Sequence, residues 1–151
     1  MPVRLLAAVP ALPVSDERAA VRFLEDALGF EQLVHDGVGL GIVRRDGVEL
    51  HVWVADGSAP GAERSLAGSA SCRIEGTGVE ELHEHCIRLG VVHPKAPLHD
   101  EPWGTREFAV LDPDGNLIGL YERLPAAGHP QASAAASSVT SSPRSSEVSA
   151  S

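Results

Sequence analysis

The sequence predicts an α+β domain made of two βαβββ modules, each with one helix and about four strands. Three observations carry this. Apolar residues recur at helical and then at alternating spacing in two successive blocks, the helical run of each block stops at a glycine, and a tight-turn signal joins strands late in each block. Neither block can bury its sheet face alone, so the two must pair, within one chain or across a dimer. The modules span about 3–56 and 68–123 of the 151 residues, inside a domain over 1–124.

Taken in order, residues 5–14 are extended and apolar, and their two prolines, Pro10 and Pro13, suit an edge or exchanged strand better than a central one. Residues 1–10 read as part of this strand rather than as a leader, because Pro10 and Pro13 break the apolar run and Asp16-Glu17-Arg18 follows at once. Ser15 is placed to cap a helix over 16–28, with Ala20, Phe23, Leu24, Ala27 and Leu28 on one face and Gly29 at its end. Strands follow at 30–35, 39–44 and 48–54, the last two joined by the two-residue hairpin signal Asp46-Gly47.

The second block has a strand at 70–75 and then Thr77-Gly78-Val79-Glu80, which has capping-box spacing. Val79, Leu82, Cys86 and Leu89 continue at helical spacing up to Gly90. Strands at 91–93, 106–111 and 117–121 complete it, and Asp112-Pro113-Asp114-Gly115-Asn116 turns between the last two.

Composition narrows the function. Asp plus Glu number 21 against 12 Lys plus Arg, a net charge of -9, and residues 125–151 add only Arg144 and Glu147, which cancel. An acidic surface of this size repels nucleic acid and anionic membranes and draws in cations. No stretch approaches the ~18–20 apolar residues of a membrane-spanning helix. Cys72 and Cys86 sit in apolar patterns and read as reduced core thiols of a cytoplasmic protein. Residues 125–151 hold nine Ser and seven Ala among 27, too little apolar surface to offset ordering entropy, and read as a disordered tail.

The duplicated element order and the 112–116 turn resemble the vicinal-oxygen-chelate (glyoxalase) superfamily. Two further stretches are similar to its bleomycin-resistance branch: Ala8-Val9-Pro10-Ala11-Leu12 leading into a helix that ends Leu28-Gly29-Phe30, and Glu101-Pro102-Trp103-Gly104-Thr105-Arg106-Glu107-Phe108-Ala109-Val110. The resemblance covers about residues 3–123. It implies a glyoxalase/bleomycin-resistance-type domain, a first strand exchanged between subunits about Pro10, and two clefts at the seam of a homodimer.

Enzymes of the superfamily hold a divalent metal on paired strands of the two modules. On that pattern the ligand positions fall here on Val9, on Ser69 or Ala70, and on Gly119, leaving Glu49 or His51 as the one remaining donor. One donor cannot make the three-ligand site of a catalytic metal. His83 and His85, two apart on a helix, point to nearly opposite faces and read as solvated. No phosphate-cradling glycine loop or dinucleotide fingerprint is present.

What remains is a binding module. Trp103, beside Gly104 in a Pro-Gly-flanked loop, is placed either to stack on a planar ligand or to plug a dimer seam. His51 and Trp53 share one strand face, which the resemblance places on the cleft, with Glu49, Arg73, Glu107, Val34 and Leu40 as further ligand-binding candidates. Asp36, Asp100 and Glu101, together with Glu49 and Glu107, surround these elements with negative charge that suits a cationic ligand. Where the branch carries stacking aromatics, this chain has Leu33-Val34 with Gly39-Leu40, and Cys72-Arg73; Thr105 lengthens the Trp103 loop relative to some members. The expectation is a cytoplasmic, homodimeric protein that captures a bleomycin-type glycopeptide without modifying it, with no metal or cofactor of its own and copper or iron arriving only with the antibiotic. The rival is a metalloenzyme of lyase or isomerase type with a relocated metal site; a third reading is a small-molecule sensor or carrier.

Overall fold

The computed structural model describes residues 2–35, 37 and 39–126. Its elements are β1 (Ala11–Val14), α1 (Glu17–Leu28), β2 (Glu31–His35), β3 (Leu40–Arg45), β4 (Val48–Val54), β5 (Ser71–Glu75), α2 (Val79–Leu89), β6 (His99–Glu101), β7 (Thr105–Leu111) and β8 (Leu117–Arg123). The first sheet has strand order β1-β4-β3-β2 and the second β5-β8-β7-β6, the same order one module later. In each, the module's first strand lies parallel to its last and the other pairings are antiparallel. This is the α+β pair of βαβββ modules that the sequence predicts.

The local reasons differ in places from the expected ones. α1 buries Ala20, Val21, Leu24, Ala27 and Leu28. Its N-cap is Asp16, not Ser15: the Asp16 carboxylate accepts from the Ala19 amide at 3.0 Å, while the Ser15 amide is taken by Asp114. Gly29, at φ 68°, closes the other end as expected. Thr77 does not form a capping box. Gly78 occupies the N-cap of α2, and the Glu122 carboxylate on β8 accepts from the Gly78 and Val79 amides, which places an anion at a helix N-terminus. Asp46 (φ 50°) and Gly47 (φ 84°) make the expected hairpin turn.

Three boundaries also move. The first strand is limited to Ala11–Val14, because only those residues find β4 partners, and residues 2–9 lie exposed with no regular structure. Residues 91–93 form a single bridge, Val92 to Val110, instead of a strand, and the edge strand of the second sheet is β6. Thr105 belongs to β7, opposite Glu101 and Arg123, and not to the loop. Of the Ser/Ala-rich tail, residues 127–151 lie outside the described residues.

One hydrophobic core joins the modules. Leu12, Val14, Val43, Leu50 and Val52 of the first sheet meet α1, Val110, Ile118 and Leu120 of the second meet α2, and α1 packs on α2. The 112–116 turn fastens the seam. Fully buried Asn116 donates to the Pro13 and Asp112 oxygens and accepts from Ala70, and Asp112 Oδ1 accepts three amides of its own turn. The helix histidines are not solvated. His85 bonds the Asp26 carbonyl on α1, and His83 accepts from the Leu98 amide and meets the edge of Phe108.

Both cysteines are free thiols, and burial pushes each up to about 11. At pH 8 the native chain should therefore react with a disulfide thiol reagent on the order of 100-fold more slowly than the urea-unfolded chain, because the thiolate is the nucleophile. Rapid reaction of either thiol in the native state would contradict the burial described.

Candidate functional site

Alternation along each sheet puts one row of side chains toward the core and the other outward. On β4, Leu50 and Val52 are buried, while Glu49, His51 and Trp53 point the other way. Their partners on β3 are Arg44, Ile42 and Leu40, and Val34 of β2 lies beside Ile42. Glu49 receives Arg44 on one oxygen at 2.8 Å and His51 on the other at 2.7 Å. Those two hydrogen bonds, the Arg44 one first, hold its carboxyl below the usual range. The Trp53 indole is half-buried between the strand partners Leu40 and Pro13.

The outward face of the second sheet carries Arg73 of β5, Gly119 and Tyr121 of β8, Glu107 of β7, and His99 and Glu101 of β6. The Arg73 guanidinium lies 4.4 Å from the Tyr121 ring centroid and donates to Glu107 Oε2 at 2.7 Å, where the Thr105 hydroxyl also donates. The stem of Arg73 covers Gly119, whose missing Cβ would sit 3.4 Å from Arg73 Cγ. His99 bonds the Pro97 carbonyl through Nδ1 at 2.7 Å and faces Glu101 through Nε2 at 2.8 Å, and these contacts, Pro97 first, raise its pKa. At the end of this sheet, Pro102-Trp103-Gly104 turns from β6 into β7. Gly104 takes φ 94°, its amide closes on the Glu101 carbonyl, and its own carbonyl is held by the Leu124 amide. Trp103 therefore projects from a fixed turn with 66% of its surface exposed.

The sequence-predicted residues thus fall into two groups. Glu49, His51, Trp53, Leu40 and Val34 share the first sheet's outer face, and Arg73, Glu107, Trp103 and Gly104 belong to the second sheet and its turn.

A family model described as the glyoxalase/bleomycin resistance protein/dioxygenase superfamily matches residues 6–120. The chain belongs to this superfamily. It is 40% identical over 131 residues to the bleomycin resistance protein of Geobacillus stearothermophilus, covering 80% of this chain and 98% of the relative. Among solved structures it is similar to the bleomycin-binding protein of Streptomyces verticillus complexed with copper(II)-bleomycin. That match has a TM-score of 0.63 and 35% identity, over 79% of this chain and 97% of the other. An antibiotic-binding protein from a Streptomyces species aligns at TM-score 0.64 and 25% identity, over 82% of this chain and 99% of the other.

The positions that the resemblance gives to the superfamily's metal ligands hold no three-donor set. Val9 lies outside any strand, the next position is Ser69 or Ala70, a lone hydroxyl or an aliphatic side chain, and Gly119 is a bare backbone under Arg73. Glu49 and His51 are bound to each other and to Arg44. Those residues do not fit a three-ligand metal.

Two features escaped the sequence reading. Tyr121 and His99 were not singled out, although both lie on the outward row once the β6–β7–β8 register is known. The expected pool of free negative charge is also smaller than predicted: Asp100 is held by Arg106, Glu107 by Arg73, Glu49 by Arg44, and Glu101 faces His99. Asp36 lies outside the described residues. A cleft of about 850 Å³ lies elsewhere, between the 45–48 hairpin, the end of α1 and the start of α2. None of the candidate residues lines it. Two of its polar side chains are engaged within the fold, Arg45 on the Leu28 carbonyl and His85 on the Asp26 carbonyl.

Proposed function

We propose that this protein confers antibiotic resistance by sequestration: a non-catalytic homodimer in the cytoplasm that binds a bleomycin-family glycopeptide at its sheet faces, one per chain, without modifying it. The observation that carries the reading is Trp103, a large indole held out at a fixed turn with two thirds of its surface open. The resistance protein and the copper(II)-bleomycin complex to which the chain is similar support the ligand class. Any copper or iron arrives with the antibiotic. Trp53, His51 and Glu49 with Leu40 and Val34 form one wall, and Arg73, Glu107, Gly104 and Trp103 the other.

The homodimer is supported by residues 2–9. Val3, Leu5 and Leu6 are 84%, 94% and 86% exposed, apolar surface that an exchange about Pro10 would bury on a partner. The two free thiols support a reducing compartment.

The test is a titration of purified protein with bleomycin, metal-free and copper-loaded, read by tryptophan fluorescence, with mass analysis of the recovered drug. Saturation at one drug per chain and drug of unchanged mass is the expected result. No quenching by any member of the drug class would end the reading, and a modified drug would move it to an enzyme.

A further inference from the structure

We propose that His99, Glu101 and Glu107 form a binding site for a first-row divalent transition-metal ion, on the outward face of the second sheet beside the Trp103 turn. The superfamily's metal positions play no part in it. One donor atom from each of the three residues lies within 4.8 Å of the others. They come from adjacent antiparallel strands, with His99 directly opposite Glu107 and Glu101 two residues further along β6, so the sheet itself fixes their spacing.

The orientation of His99 is the second observation. A carbonyl oxygen only accepts, so the 2.7 Å contact to Pro97 requires the proton on Nδ1. Nε2 is thereby turned toward the Glu101 carboxylate, 2.8 Å away. In the metal-free chain a proton on Nε2 bridges the pair as an ion pair, and a divalent ion would take that proton's place. A backbone carbonyl holding the far ring nitrogen is also how metal-binding histidines are oriented. Glu107 completes the set. Arg73 and Thr105 both use its Oε2, and Oε1 remains for the ion. An imidazole with two carboxylates suits zinc, nickel or cobalt better than calcium or magnesium. His99 has 41% of its side chain exposed against 23% and 18% for the two acids, so the ion would stay open on the solvent side, with coordination positions for water or a chelating ligand.

The site requires nothing of the drug reading and is tested with metal alone. The full chain, stripped with a chelator and dialysed, is titrated calorimetrically with zinc chloride at neutral pH. One ion per chain is expected, with affinity falling at least tenfold in Glu107→Gln and in His99→Ala, and unchanged in His51→Ala, whose imidazole belongs to a pair with a single carboxylate. Arg73→Met removes the cation that competes for Glu107, so it should tighten zinc binding, a gain that misfolding cannot produce. Circular dichroism melts of each variant separate loss of donors from loss of fold. Absence of saturable zinc binding, several weak ions per chain, or equal affinity in all four variants would overturn the proposal.

Discussion

Gly68→Ala should destabilise the domain by about 4 kcal/mol, among the largest effects of any single methyl group in this chain. Gly68 has φ +81°, a conformation that costs an L side chain roughly 1–2 kcal/mol, and a Cβ there would stand 2.0 Å from the Asp114 carbonyl oxygen. Both sides of that overlap are backbone, so no rotamer can relieve it. Relief means moving the 112–116 turn, and with it buried Asn116, whose bonds to Pro13, Asp112 and Ala70 tie the two modules together. The Gly68 amide also donates to the Pro13 carbonyl, so both sides of the junction shift together. Thermal melts should fall by roughly 15 °C for a domain of this size. Gly76→Ala is the control. Its added Cβ meets nothing within 4 Å and its φ is ordinary, so its melt should move by no more than a degree or two. A loss below ~1 kcal/mol for Gly68→Ala would show that the turn slides freely and is not the clamp between modules.

Trp103→Ala should weaken glycopeptide binding by about 3 kcal/mol, roughly a 100-fold rise in Kd. The indole is anchored by backbone only, through the Gly104 amide on Glu101 and the Leu124 amide on Gly104, so removing the side chain leaves the turn intact. Its exposure means that little folding stability depends on it, and the melt should stay within ~0.5 kcal/mol of the parent. The same variant decides between the two roles open to this residue. An indole that stacks on the ligand gives weaker binding at unchanged dimer mass in light scattering. An indole that plugs the seam between subunits gives a lighter particle, and in that case the drug-stacking role falls.

What could be read from the linear order was what local chemistry decides. The two helices, their terminal glycines, the Asp46-Gly47 hairpin and the 112–116 turn each depend on residues within one or two turns of each other, and all stand where expected. The face holding Glu49, His51 and Trp53 was legible for the same reason, since alternation along one strand is a local rule. Elements whose partners lie far along the chain were not. Asp16 and not Ser15 caps α1, and the Ser15 amide is bound instead by Asp114, 99 residues away. Thr77 does not cap α2, which Glu122 reaches from β8. The 99–101 strand has no apolar alternation of its own and exists only because β7 lies beside it.

By itself the sequence determined the fold class, the duplicated module and a turn-borne tryptophan, because period, cap and turn residues act over a few positions. The tertiary structure alone decided where β1 begins, which carboxylate Arg73 and His99 neutralise, and that His99, Glu101 and Glu107 share one patch. Strand register sets those distances, and register is a property of pairs of segments whose separation along the chain carries no information about their contact.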